Sequence, residues 1–413
     1  MSASVTVEVI PDVDPVESAR AVARDVLAPT AEHHDRTGEF PVASIRALGE
    51  ARLMGLLAPR VYGGLEASYA TFAQVVEALG GACASTAMIY VMHHNQYVML
   101  VDHGTDRQKQ AFLPPIAAGE CLVASATTEP ETGGNASFCV SAKERDGKVV
   151  RLSAVKPVVT SANHADWVFC TTRASSDAAG DELSMVIMPG PKASSQVEPF
   201  GVWDCVGMKA TSSSGLKYDR CEVPDWHQVG PEDSSLVRST SMTLASRLGF
   251  AAVWQGIASA AFQVTLDHVR RKRHDFIRRD PSSNDLWTES RTVAGSEVTQ
   301  RQLAEMRARL LASRELLHAS ARAIDEQREA ILAGGPLDDV QDLLWAARIA
   351  CGEASVDVTR QGLRLCGVTG LRPGALPLER HMRDALTSQV MAPNEDATKL
   401  MLGGQLVTGA AAA

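Results

Sequence analysis

At the start of the chain, apolar residues recur at the spacing of one helix face. Val16, Ala19, Val22, Ala23, Val26 and Leu27 set the pattern, with Asp14-Pro15 where a helix start belongs. Ile45, Leu48 and Leu53 predict a second helix, Tyr62-Gly63-Gly64 interrupts it, and Tyr69 to Leu79 predicts a third. Near Cys121 the period changes. Lys148 to Val159, Trp167 to Thr172, Leu183 to Met188 and Leu216 to Val223 are short β-branched or alternating runs, separated by Gly, Ser, Asp and Pro. They predict a small antiparallel β domain. From about Ser235 the helical period returns and persists almost to the end, most clearly over Gln300 to Glu326 and Val340 to Val358. The fold class expected is α+β in three units: a helical unit over 1–120, a β unit over 121–234 and a helical unit over 235–413. The small-residue tail from Thr408-Gly409-Ala410 is expected to fray.

Composition narrows the partners. The 413 residues are 45% hydrophobic, so a large core is available. Forty basic residues against 49 acidic ones leave −9, which argues against duplex nucleic acid and against an anionic membrane surface. No stretch approaches the ~20 apolar residues of a membrane span. The N-terminal Met-Ser-Ala-Ser-Val-Thr-Val-Glu lacks the basic and apolar regions of a secretory signal. Eight scattered cysteines without a CxxC pair read as reduced thiols, with no metal site. A soluble cytoplasmic globular protein is expected.

Several segments then fall in a telling order. They are Leu56-Leu57-Ala58-Pro59 with Tyr62-Gly63-Gly64, Gly104-Thr105-Asp106-Arg107-Gln108-Lys109-Gln110, Ala126-Thr127-Thr128-Glu129-Pro130, Gly207-Met208-Lys209-Ala210-Thr211 and Glu379-Arg380-His381-Met382-Arg383-Asp384-Ala385. Together, over nearly the whole chain, they resemble the acyl-CoA dehydrogenase superfamily of flavoproteins. The resemblance implies an N-terminal helical domain, a middle β-barrel-like domain and a C-terminal four-helix bundle. It implies FAD rather than FMN, lying between the β domain and the bundle, with its adenine half reaching a neighbouring subunit of a homodimer or homotetramer. An acyl substrate carried on CoA or a carrier protein is implied, as is an electron partner such as an electron-transfer flavoprotein or a flavin reductase.

The same resemblance assigns cofactor residues. Thr128 matches the threonine that bonds the carbonyl edge of the flavin, flanked by Ser125 and Thr127. Alone it reads as a β-turn threonine. Thr160 matches the threonine of the second flavin strand, and alone reads as a strand residue chosen for propensity. Val158 stands where the family usually has an aromatic side chain. Gly133-Gly134-Asn135 replaces a Gly-Ser-Asp turn, which leaves the diphosphate to backbone N–H groups. Arg273 and Phe276 resemble an Arg-x-x-Phe pair that takes the diphosphate and the adenine. Otherwise they read as the cationic end of a helix. Arg364, where a glutamine is common, Gly367 and Asn394 complete the set.

One family residue is missing. The glutamate that takes the substrate α-proton falls at Ala392, and its alternative position falls near Ser246-Arg247. Glu395, one helical turn beyond, is the carboxylate candidate, with a helix N-terminal charge as its plain reading. Related monooxygenases lack the glutamate and use reduced flavin with O2; Ser161 and His93 (or His94) match their donors loosely, and Pro393 their proline. A third route needs no base, because loss of CO2 from a β-keto acid itself leaves a carbanion. A flavin-bound scaffold without activity is the remaining class.

Overall fold

The computed structural model describes residues 14–134 and 137–408. The N-terminal stretch read for a signal, Asn135 of the glycine turn and the tail beyond Thr408 lie outside the described residues. Asp14 accepts from the backbone N–H groups of Val16 (2.9 Å) and Glu17 (3.4 Å), with Pro15 first in α1 (Pro15–Val22). A π-helical turn carries the chain into α2 (Ala28–Thr37), and Ala19, Ala23, Leu27 and Ala31 form its buried stripe. After α3 (Val42–Glu50) come α4 (Tyr69–Ala82), α5 (Ala84–His103) and α6 (Asp106–Ala117). Helix α5 was not foreseen as a separate element. It is buried on almost every side, His93, His94, Asn95 and Gln96 included, so it carries no polar face to betray its period.

The middle of the chain folds into two four-stranded sheets. Strands β1 (Val123–Ala126), β2 (Lys143–Asp146), β3 (Val149–Lys156), β4 (Trp167–Arg173), β5 (Leu183–Pro189), β6 (Val197–Phe200), β7 (Gly215–Pro224) and β8 (Gln228–Val229) are ordered β1-β4-β5-β8 and β2-β3-β7-β6. Their inner faces pack on Val150, Leu152, Val168, Cys170, Val186, Met188, Leu216 and Tyr218. The expected antiparallel pairing holds except for β1 with β4, which run parallel. Between them the chain leaves to build β2 and β3 in the other sheet, and such a crossover returns in the same direction.

A helical turn α7 (Ser235–Val237) and a π turn lead into α8 (Thr243–Arg271). Next come β9 (Arg273–Arg279), β10 (Leu286–Thr292), α9 (Glu297–Leu332) and α10 (Asp338–Cys366). The short α11 (Val368–Leu371), α12 (Leu378–Ala385) and α13 (Thr387–Val390) precede α14 (Glu395–Thr408). Helix α8 packs on α4, α5, α9 and α10, while α14 lies along α10. Backbones of α4 and α8 touch: a Cβ on Gly256 would overlap the carbonyl of Glu77, and one on Gly80 would overlap Val253. The helical reading of 273–292 is corrected to an antiparallel hairpin. Its turn is closed by Asp280, which accepts from Ser282 (2.7 Å) and Ser283 (3.3 Å) N–H groups, and by Asn284 at φ 61°.

One interaction fixes the β unit where the site lies. Lys156 is in phase with Val150, Leu152 and Ala154, so its side chain enters the core. Its Nζ donates to Glu129 Oε1 (2.8 Å) and to the Thr171 carbonyl (2.8 Å), with Lys156 0% and Glu129 1% exposed. Glu129 also accepts from the N–H groups of Val140 (2.5 Å) and Ser141 (3.1 Å). Burial pushes the carboxyl up, but the Lys156 charge and these donors outweigh it and hold it at about 2. Lys156→Met leaves a buried carboxylate without its cation, so the unfolding free energy in urea should fall by about 3–5 kcal/mol. An unchanged midpoint would deny the pair this role. The folded carboxyl titrates below its ordinary 4.5, so its stabilisation is complete above that value and disappears as pH falls toward 2. Glu129→Gln should flatten the fall in melting temperature over that interval.

Candidate functional site

The turn after β1 is anchored from below by Glu129. Glu129 and Gly133 exchange backbone hydrogen bonds of 3.1 and 2.8 Å, and Gly133 has φ 60°. Just ahead of the anchor, Thr127 shares a hydrogen bond with Thr171 (3.2 Å) and a longer one with Ser125 (3.5 Å). Thr128 stands half-buried between Thr127 and the anchor. Lys156, bonded to Glu129, ends β3, so the residues after it arrive at the same end of the sheets. Val158 is 42% exposed there. The Thr160 hydroxyl bonds Ser213 (3.1 Å), and Ser213 bonds Thr211 (2.8 Å), forming a row of hydroxyls beside Thr128's turn. The structure thus sets Ser125, Thr127, Thr128 and Gly133 on one turn, and Val158 and Thr160 on the segment that leaves Lys156, with the Glu129–Lys156 pair joining the two.

These residues fit a flavin. A ring with a polar edge needs hydroxyl and amide donors along one side and an apolar residue beside its face, and both are present. The Thr132 hydroxyl, a residue sequence reasoning passed over, is buried with no partner among the described residues. It lies in the turn expected to meet the diphosphate, so a phosphate or ribityl oxygen would satisfy it.

Gly134 links this turn to the stretch around Ala392. A Cβ on Gly134 would overlap the Cβ of Ala392, so the two small residues are matched to each other. Ala392 is exposed and its peptide bond to Pro393 is cis. Arg348, 2% exposed, holds the loop from behind, donating to the carbonyls of Met391 (2.8 Å) and Pro393 and to the Thr398 hydroxyl (3.2 Å). At the alternative base position Ser246 spends its hydroxyl on the Met242 carbonyl of its own helix. Beside it the Arg247 guanidinium stacks 3.5 Å from the Trp345 ring centre. Burial, and then the charge of Arg348, lower Arg247 to about 9. Burial lowers Arg348 to about 10, against the opposing pull of Glu395.

The remaining candidates are held elsewhere. Glu395 begins α14, with Oε1 on Lys399 (2.6 Å) and Oε2 buried without a partner among the described residues. Asn394 caps the same helix, accepting from Ala397 N–H (2.8 Å). His93 is 0% exposed and clasps two backbone segments. It accepts from Val123 N–H at Nδ1 (3.1 Å), so its Nε2–H donates to the Met54 carbonyl (3.1 Å). Burial lowers its pKa to about 4, and this neutral clasp leaves no N–H for a bound oxygen species. Ser161 is 2% exposed in a left-handed turn, its carbonyl accepting from His164 and Ala165. Arg273 and Phe276 stand on β9 three residues apart, hence on opposite faces of a strand, where a helix would have paired them. Arg273 donates to Ser290 O (2.9 Å), and Arg291 covers the Phe276 ring at 4.6 Å. Arg364 is exposed on the last turn of α10, and Gly367 (φ 62°, ψ −146°) ends that helix in a conformation reserved for glycine.

Known proteins share both the fold and the sequence of these elements. The acyl-CoA dehydrogenase N-terminal domain matches residues 14–120, and the acyl-CoA dehydrogenase C-terminal domain matches residues 248–393. A 3-sulfinopropanoyl-CoA desulfinase from Paraburkholderia xenovorans is 28% identical over 395 residues, covering 95% of this chain and 94% of the relative. The mitochondrial short-chain specific acyl-CoA dehydrogenase of Bos taurus is 25% identical over 394 residues, covering 95% and 89%. Among solved structures, butyryl-CoA dehydrogenase from Megasphaera elsdenii superposes with a TM-score of 0.84 at 21% identity, over 98% of this chain and all of the other. With both terminal domains matched in order around the central sheets, the chain belongs to the acyl-CoA dehydrogenase family.

Proposed function

We propose that the protein is an FAD-dependent oxidoreductase acting on an acyl substrate by a route that needs no glutamate base. One observation supports this reading: beside Ala392 and Ser246, where the resemblance puts the family's carboxylate, stand two guanidiniums and, among the described residues, no paired carboxylate base. Bound FAD supplies a two-electron acceptor. The residues of the chain do the rest. Thr127, Thr128 and Thr160 present hydroxyls and amides to the polar edge of the cofactor, while Val158 leaves room beside its face. Arg247 and Arg348 make the acyl pocket cationic, which disfavours a carboxylate that must accept a proton and favours a substrate that forms an anion. A β-keto acid meets that condition. Its bond to the carboxyl carbon breaks, CO2 leaves, and the electron pair stays on the α-carbon without any proton being removed. The desulfinase among the relatives is named for an acyl-CoA that carries a sulfinate, another substrate with its own anionic group.

Anaerobic stopped-flow absorbance tests the reading. Butyryl-CoA should reduce the bound flavin poorly, while a β-keto acid should bleach it and release CO2. Rapid bleaching by butyryl-CoA would overturn the proposal. Insertion of oxygen, seen only with reduced flavin and O2, would instead assign a monooxygenase working with a separate reductase. Glu395→Gln should leave reduction by a productive substrate within about tenfold. A loss of roughly a hundredfold, the scale of a removed general base, would return the mechanism to proton abstraction.

A homodimer or homotetramer would let the exposed β9–β10 hairpin carry Arg273 to a neighbouring subunit's diphosphate. Arg273→Ala should therefore lower the flavin-to-protein ratio after gel filtration, and Arg270→Ala, on the last turn of α8, should not. Equal ratios would remove Arg273 from the cofactor site.

A further inference from the structure

Facing surfaces of α8 and α10 carry an unusual polar inventory. Arg247, Phe250 and Trp254 share one face of α8, and Trp345 and Arg348 share one face of α10. The Arg348 guanidinium lies 4.9 Å from the Trp254 ring centre and 5.6 Å from that of Phe250, as Arg247 lies on Trp345. Arg247 Nε and Nη1, Arg348 Nη1, Trp254 Nε1 and Trp345 Nε1 are all buried without an acceptor among the described residues. Every one is a donor. Arg348 is 2% and each tryptophan 1% exposed, so bulk water does not satisfy them. A carboxylate that could answer them is Glu395, whose buried Oε2 is itself without a partner while Oε1 is on Lys399. Buried N–H groups without acceptors cost far more than surface ones, and two guanidiniums in one another's field raise that cost further.

We infer that Arg247 and Arg348 form a binding site for a second anionic group of the substrate, a carboxylate or sulfinate on the acyl chain, held between the two tryptophan-backed guanidiniums. Planar forks on both sides suit a two-oxygen anion, and the tryptophan N–H groups can complete its shell. Through the Met391 and Pro393 carbonyls, Arg348 ties this cluster to the loop that carries Ala392. This assignment rests on the acyl pocket lying at Ala392, as proposed above. It makes the protein selective for acyl chains that carry a carboxylate or sulfinate away from the reacting carbonyl, whichever route the reaction takes.

Calorimetric titration of the holoprotein with succinyl-CoA and butyryl-CoA tests it, since the esters share chain length and differ in the terminal carboxylate. Succinate and the uncharged butyramide serve as probes that need no carrier. Succinyl-CoA should bind at least about tenfold tighter than butyryl-CoA, and succinate tighter than butyramide by a similar factor, the scale of one charge-assisted pair. Arg348→Gln and, separately, Arg247→Gln should each bring the ratio of succinyl-CoA to butyryl-CoA affinity, measured within the same variant, down to about one. If Arg348→Gln fails to fold, Arg247→Gln, whose guanidinium holds no loop carbonyl, decides alone. Equal binding of both thioesters, and of succinate and butyramide, by the unaltered protein would overturn the site, as would a preference surviving in the variants. Glu395→Gln separates the competing arrangement: a succinyl-CoA preference that appears only in this variant would mean Glu395 is the natural counter-ion. Slow flavin reduction by butyryl-CoA alongside equal binding would sink the anion site while sparing the base-free mechanism.

Discussion

The contact between Glu129 and Lys156 is the hinge pin of the β unit. Neither group is tolerable in that core alone, and together they join the turn after β1 to the end of β3. From that junction two segments extend, Thr127 and Thr128 one way and Val158 and Thr160 the other. A ledge made of two loops would otherwise have two independent sets of motions. Cross-linked by a charge pair with further backbone donors on the carboxylate, it behaves as one rigid edge.

A second charged cluster, between α8 and α10, has the opposite character. There the buried donors outnumber their acceptors among the described residues, and aromatic rings back the guanidiniums. The first cluster is complete within the chain, and the second calls for something from outside it. That contrast divides structural from functional electrostatics here better than burial does, since Lys156 and Arg348 are both hidden from water.

Much of this was legible from the residues. Asp14-Pro15, the strands over 149–156, 167–173, 183–189 and 215–224, and the long amphipathic helices declared themselves through capping chemistry and period. What stayed hidden had physical reasons. Helix α5 has no exposed face, so no period marks it. The 273–292 hairpin follows a run of four cations that reads equally as a helix end, and only strand pairing separates Arg273 from Phe276. In the site, the Thr-Glu-Pro triplet drew notice for its threonine, while its glutamate holds the turn and its partner Lys156 lies far along the chain. The vacancy at Ala392 was countable. The guanidiniums around it were not, because Arg247 and Arg348 lie about a hundred positions apart and meet only when α8 and α10 pack.

The glycine contact between α4 and α8 carries a consequence for how this protein could change its substrate. Where backbones touch, there is no compressible layer of side chains to absorb a shift. Gly256 lies two residues beyond Trp254 on the same rigid helix, so pressure from Gly80 or Glu77 would move α8 as a rod. The rod carries Arg247, Phe250 and Trp254 with it. Substitutions in α4 can therefore displace the Arg247–Trp254 face of α8 without touching it. A laboratory selection for new substrates would find α4 a more productive place to look than its distance from the chemistry suggests.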